Sequence, residues 1–388
     1  MSTSTPNVLL IMTDEERYTP SYEREELAEF RSTRMPARAS LAARGLELHH
    51  HYAGSTACAP SRATLFTGQY PSLHGVRNTD GLAKAANDPA MSWLDPDEVP
   101  TLGDWFRAAG YQTHYRGKWH VSHADLLVPG THDAFMTNTR EGEPIAEGVD
   151  AYRSTDRLDP FGFSGWIGPE PHGTFPVNTG MVRDGVIADQ VIGLLGSLAA
   201  RSDDEPWLAV ASFVNPHDIG FSGLGWQLSG FPPVPDWVPA MAEPPSQSDS
   251  LDDRPDCQAQ WRAVFPKMLY DQPADLEYRR LYHYLMAVVD ESIGRVLASL
   301  EEHDLADDTI VVFTSDHGDL LGAHGGLQQK WYNAYDEAIH VPMIVAGPGI
   351  DARSDGLTSP TSHIDLVPTL IGLIGRDPVD LIDVVGEH

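Results

Sequence analysis

With 388 residues, 41% of them hydrophobic and 9% aromatic, the chain can bury a large core as one large or two ordinary domains, a composition that does not suit disorder. Its formal net charge of -30 argues against nucleic acid or an anionic membrane as partner, because both need a basic surface. Two cysteines, Cys58 and Cys257, lie far apart without C-x-x-C or metal-finger spacing, which argues against a disulfide framework.

At the start of the chain, "NVLLIMT" (7–13) is a strand-like run. Its apolar core, Val8 to Met12, has no basic region before it and acid directly after it. That is too short for a signal peptide or a membrane span, so a cytoplasmic protein is expected. The triplet His49, His50 and His51 falls in "LELHHHYA", read as an edge strand; neighbours there point to opposite faces, which argues against a metal site. "TLGDWFRAAG" reads as a helix ending at Gly110, followed by a strand at 111–117. "DGVIADQVIGLLGSLAA" is a second helix, leading to a strand at 207–214. From Asp275 to His303, Leu281, Leu285, Val288, Ile293, Val296 and Leu300 form one apolar helical face. Strands at 309–315 and 341–347 follow. Strands alternating with helices predict an α/β fold, a mostly parallel central sheet flanked by helices on both faces. Two stretches, 131–180 and 219–274, interrupt the alternation and read as loop insertions forming walls or lids. Their aromatics, Trp166, Phe175, Phe221, Trp226 and Trp237, either line a substrate wall or pack on one another.

Each of four strands ends in polar residues. Asp14-Glu15 follows the first, Lys118-Trp119-His120 the second, Asn215-Pro216-His217-Asp218 the third and Asp316-His317-Gly318-Asp319 the fourth. One polar exit is ordinary turn chemistry. In open α/β sheets, however, ligands bind outside the carboxyl ends of the strands, so four such exits predict one crevice. Asp14, Asp316 and His317, with Glu15 as a further candidate, suit a divalent cation such as Ca²⁺, Mg²⁺ or Mn²⁺. The chain has only four lysines, and Lys118 and Lys330 stand in polar motifs. With Arg62, His120 and His217 they would hold an oxyanion beside the metal.

"NVLLIMTDEE", "CAPSRATLFTG" (58–68), "GKWH", "NPHD", "TSDHGDLLGAHG" with Lys330 downstream, and "HVPMIVAGPG" occur in that order between Asn7 and about Gly375. In these motifs the sequence resembles the sulfatases that use a formylglycine nucleophile, within the alkaline-phosphatase-like superfamily. The resemblance implies a single catalytic domain over 1–388 that hydrolyses a small sulfate monoester. It implies that a separate formylglycine-generating enzyme oxidises Cys58, and that the hydrated aldehyde attacks sulfur with one hydroxyl and uses the second to release sulfate. By the same resemblance, Arg62 fixes the formylglycine and helps neutralise its oxyanion, and His120 takes a proton from the diol. His217 is the general acid for the leaving alcohol, and Lys118 and Lys330 clamp sulfate oxygens. Asp14, Asp316 and His317 join the Cys58-derived oxygen around the cation, Ca²⁺ first among the candidates.

Three features depart from the pattern. Glu15 stands where many relatives have a second aspartate, so it either ligates or turns away. His317 stands where asparagine is common. The chain stops at His388, soon after the "HIDLVPTLIGLIG" helix, so the family's small C-terminal antiparallel subdomain is expected to be absent or truncated. Two other readings stay open: a phosphonate monoester or phosphodiester hydrolase of the same superfamily, and a metal- and anion-binding protein without turnover. Oligomeric state is not readable from the sequence.

Overall fold

The structure, a computed structural model, describes residues 5–23, 25–81, 84–171, 176–268 and 275–386. Its strands are β1 (Asn7–Asp14), β2 (Gly45–Leu48), β3 (His51–Tyr52), β4 (Gln112–Gly117), β5 (Trp207–Pro216), β6 (Thr309–Ser315), β7 (Met343–Ala346), β8 (Arg353–Leu357) and β9 (Thr361–Ser362). Seven of them form one sheet in the order β4-β5-β1-β6-β7-β2-β8, and β3 pairs with β9. β4, β5, β1 and β6 are parallel neighbours, while β7 runs antiparallel to β6 and β2. The mostly parallel sheet is therefore as expected. The four parallel neighbours are also the four strands with polar exits, so their carboxyl ends lie side by side.

Alternation along β1 shows why it reads as an unbroken apolar run. Val8, Leu10 and Met12 pack on one face with Phe66, Tyr115, Trp119 and Leu370; Leu9 and Ile11 pack on the other with Ile187, Val191, Ile293 and Val296. The second set comes from helices Gly180–Ala199 and Asp275–Glu302. Each such fully buried side chain stabilises the fold by about 1.5–3 kcal/mol. Helix Leu102–Ala108 opens on a capping box, Thr101 with Asp104, and Gly110 follows it at φ +88°.

Two expectations need correction. "LELHHHYA" is not one edge strand: it breaks into β2 and β3, and β2 lies between β7 and β8. At that end of the sheet the edge is β8, which is largely exposed and carries no apolar signal to announce it. The three histidines bond locally, His49 to the Tyr18 hydroxyl, His50 to the Thr358 carbonyl and His51 to Thr361 Oγ1. The two insertions are not plain loops either. They hold helices Ala146–Thr155 and Asp256–Met268, the latter burying Trp261 and Phe265 against Leu320 and Leu327. Among the described residues no helix is long and apolar enough to cross a membrane.

Candidate active site

The strand exits set the site. Asp14 ends β1 opposite Pro216 of β5, and Thr13 pairs with Ser315 just before Asp316. At the end of β4, Gly117 has φ +99°, and a Cβ there would meet the Ser212 carbonyl oxygen at 1.9 Å. Only glycine allows this close approach, which delivers Lys118 beneath the crevice. Cys58 opens the wholly buried helix Cys58–Thr67, whose positive end favours negative charge at that residue.

The candidate catalytic and metal-ligating residues converge here. Cys58 Sγ lies 3.1 Å from His317 Nε2, 3.3 Å from Lys330 Nζ and 3.9 Å from Asp14 Oδ1. Arg62 donates from Nε to Asp316 Oδ2 and from a terminal nitrogen to Asp14 Oδ2, each at 2.8 Å. Its remaining donors meet the Lys118 carbonyl and Ser212 Oγ. Lys118 Nζ is 2.6 Å from Asp14 Oδ2, and Lys330 Nζ is 3.1 Å from Glu15 Oε2. Arg62 and Lys118 thus brace the carboxylates from behind. Cys58, His120, His217 and Lys330 line a cavity of about 1030 Å³.

Charge follows geometry. Burial and Asp14 push the Cys58 thiol up, but Lys330, His317 and Lys118 outweigh them and hold it well below its usual range. Burial also works against the Asp14 carboxylate, yet Lys118, His217, Arg62 and His317 bring it well below the ordinary value. Asp316 is pushed up by burial and then by the Asp14 charge. Glu15 is pushed well up by burial, which Lys330 only partly opposes. Burial and Lys118 lower His217 to about 4. His120 rises to about 9: burial lowers it, and the Asp80 carboxylate more than reverses that. These shifts favour the charged form of His120 and the neutral form of His217, so His120 has to give up a proton before it can take the expected one from the diol.

A profile of the Sulfatase family matches residues 6–376. The chain belongs to the sulfatase family. It is 29% identical over 387 residues to a choline-sulfatase of Rhizobium meliloti, covering 97% of this chain and 69% of the relative. It is also 29% identical over 355 residues to a Delta 4,5-hexuronate-2-O-sulfatase of Bacteroides thetaiotaomicron, covering 86% of this chain and 62% of that protein. The chain thus spans roughly two thirds of the length of these curated relatives. In fold it is similar to a solved 2-O GAG sulfatase, with TM-score 0.65, 22% identity and coverage of 96% and 71%. It is also similar to a phosphonate monoester hydrolase of Silicibacter pomeroyi, with TM-score 0.60, 23% identity and coverage of 96% and 74%.

The donor set in this sulfatase-family site fits a divalent cation. Ligand atoms of Asp14, Cys58, Asp316 and His317 lie within 4.8 Å of one another, all buried, and Asp14, Glu15 and His217 form an overlapping group. Glu15 Oε1 is buried without a hydrogen-bond partner, and an orphaned carboxylate oxygen beside other carboxylates calls for positive charge.

Two site residues carried no sequence signal. Asp80 and Glu170 line the cavity, Asp80 bonding the His120 ring and Glu170 accepting the backbone N–H groups of Trp119 and His120. Both come from loops, not from strand exits. Of the aromatics expected in the insertions, Phe221 lines the cavity, whereas Trp166 is core and Trp226 packs on Phe231. Trp237 faces the Arg34 guanidinium, and Phe175 lies outside the described residues. Trp93, Phe265 and Trp331 line the cavity instead.

Proposed function

We propose that this chain, acting as one catalytic unit, hydrolyses a sulfate monoester, with Cys58 oxidised to formylglycine by a separate maturation enzyme. The observation that carries the reading is the seat of Cys58: Sγ lies 3.1–3.9 Å from His317, Lys330 and Asp14 and borders the cavity. Hydrated formylglycine supplies two hydroxyls, one to attack sulfur and one to let sulfate depart. Asp14, Asp316 and His317 would hold a divalent cation, Ca²⁺ first and Mg²⁺ or Mn²⁺ next, which adds positive charge where the attacking oxygen and the ester meet.

The remaining residues share the work. Arg62 keeps Asp14 and Asp316 aligned through its 2.8 Å bonds, and Lys330 offers the ester a fixed cation. The first available proton sits on His120. His217 becomes a donor to the leaving oxygen once the ester's negative charge lies beside it and raises its affinity for protons. Intact-peptide mass of Cys58 after co-expression with a formylglycine-generating enzyme, read together with sulfate release, tests the reading. Cys58→Ser should accept sulfate once and stall, and Cys58→Ala should neither be modified nor turn over.

A second reading, phosphonate monoester or phosphodiester hydrolysis, is favoured by the likeness to the phosphonate monoester hydrolase fold. The Sulfatase match over residues 6–376 and the likeness to curated sulfatases support sulfate over it.

A further inference from the structure

We propose that Asp80 is a positioning residue, forming a carboxylate–imidazole dyad with His120 that aims the ring at Cys58. Asp80 Oδ1 lies 2.5 Å from His120 Nε2, and both side chains are only 4% exposed. The imidazole and Cys58 line the same cavity. Carboxylate, imidazole and nucleophile-bearing residue thus meet in one pocket, where the acid fixes the direction of the ring.

The rest of the pocket holds His120 in the same pose. Its backbone N–H donates to Glu170 Oε1 at 2.7 Å, and the Glu170 N–H donates to Asp125 Oδ1 at 2.7 Å. The Trp93 ring lies 5.8 Å away, tilted 55°. His120 has φ +52°, a left-handed backbone that a non-glycine residue keeps only when its surroundings over-determine it. None of these contacts fixes the ring nitrogens; the Asp80 bond to Nε2 does, with Thr79 Oγ1 3.5 Å from the same atom. Without that carboxylate the ring can flip and exchange its two nitrogens.

The kinetic part of the test rests on the sulfatase reading. In matured protein Asp80→Asn should lower kcat for an aryl sulfate about 100-fold while KM moves less than about threefold, and Asp80→Glu should recover at least about tenfold of the loss. In a His120→Ala background Asp80→Asn should cost nothing further, since the two act as one unit. A readout independent of turnover is the proton NMR spectrum, where a buried imidazole N–H bonded to a carboxylate gives a far-downfield resonance. That resonance should vanish in Asp80→Asn and in His120→Ala. Its survival in Asp80→Asn, or additive losses in the double variant, would overturn the dyad. If wild type releases no sulfate from any ester, the sulfatase reading fails, while the N–H resonance still decides the dyad.

Discussion

The Lys118 ammonium sits 2.6 Å from Asp14 Oδ2, and neither side chain reaches solvent. Removing Lys118 leaves the buried Asp14 carboxylate with Arg62 as its remaining directly bonded arginine or lysine. Lys118→Ala should destabilise the fold by about 3–5 kcal/mol in denaturant unfolding, and Asp14→Asn combined with Lys118→Met should lose less than the sum of the single changes.

A cation bound only by the folded state adds stability by mass action. At a free concentration about 100 times Kd the gain is about 2.7 kcal/mol, so chelation should lower Tm as well as abolish turnover. Asp316→Ala should show both effects without chelator, because it removes one of the four clustered ligand groups. Unchanged Tm and turnover after full chelation would exclude this metal centre.

Lys330 lies 3.1 Å from Glu15 and 3.3 Å from Cys58 and lines the cavity. Glu15, already pushed up by burial, can take a proton when Lys330 is lost, so the site should keep its fold. Lys330→Ala should lower kcat/KM for a sulfate ester about 10–100-fold with metal content unchanged by elemental analysis.

How much of this was legible in sequence depends on where each residue's position is decided. Asp14, Lys118, His217 and Asp316 follow apolar strands that are neighbours in the sheet, so a local pattern plus one topological rule brings them together. Cys58 and Arg62 share one buried helix and were visible as a local string. Asp80 and Glu170 were not, because tertiary packing alone brings their loops to His120. The backing role of Arg62 and Lys118 was hidden for a related reason: sequence shows a cation, not whether its donors face a cavity or two carboxylates.

Acid stability should report a second buried ion cluster, away from the cavity. Glu23 lies 2.9 Å from an Arg17 terminal nitrogen and also pairs with Arg31. Burial pushes its carboxyl up, but Arg31, Arg17 and His283 bring it from 4.5 down to about 2. A depressed carboxylate stabilises the fold fully above its unfolded pKa, and that contribution is lost as pH falls from about 4.5 through about 2. It amounts to about 3 kcal/mol. Unfolding free energies measured across that window should fall more steeply for wild type than for Glu23→Gln, by about this amount.

We propose that this site turns over a sulfate monoester through Cys58. The most direct measurement is kcat/KM for nitrophenyl sulfate, a phenyl phosphonate ester, bis-nitrophenyl phosphate and nitrophenyl phosphate on one matured batch, beside Cys58→Ala. A pocket whose cations are partly neutralised by Asp14, Glu15 and Asp316 suits a monoanion, so the sulfate should be fastest, the phosphate monoester dianion slowest and Cys58→Ala inactive. Phosphonate or phosphodiester turnover well above sulfate, or wild-type sulfate turnover by Cys58→Ala, would contradict it.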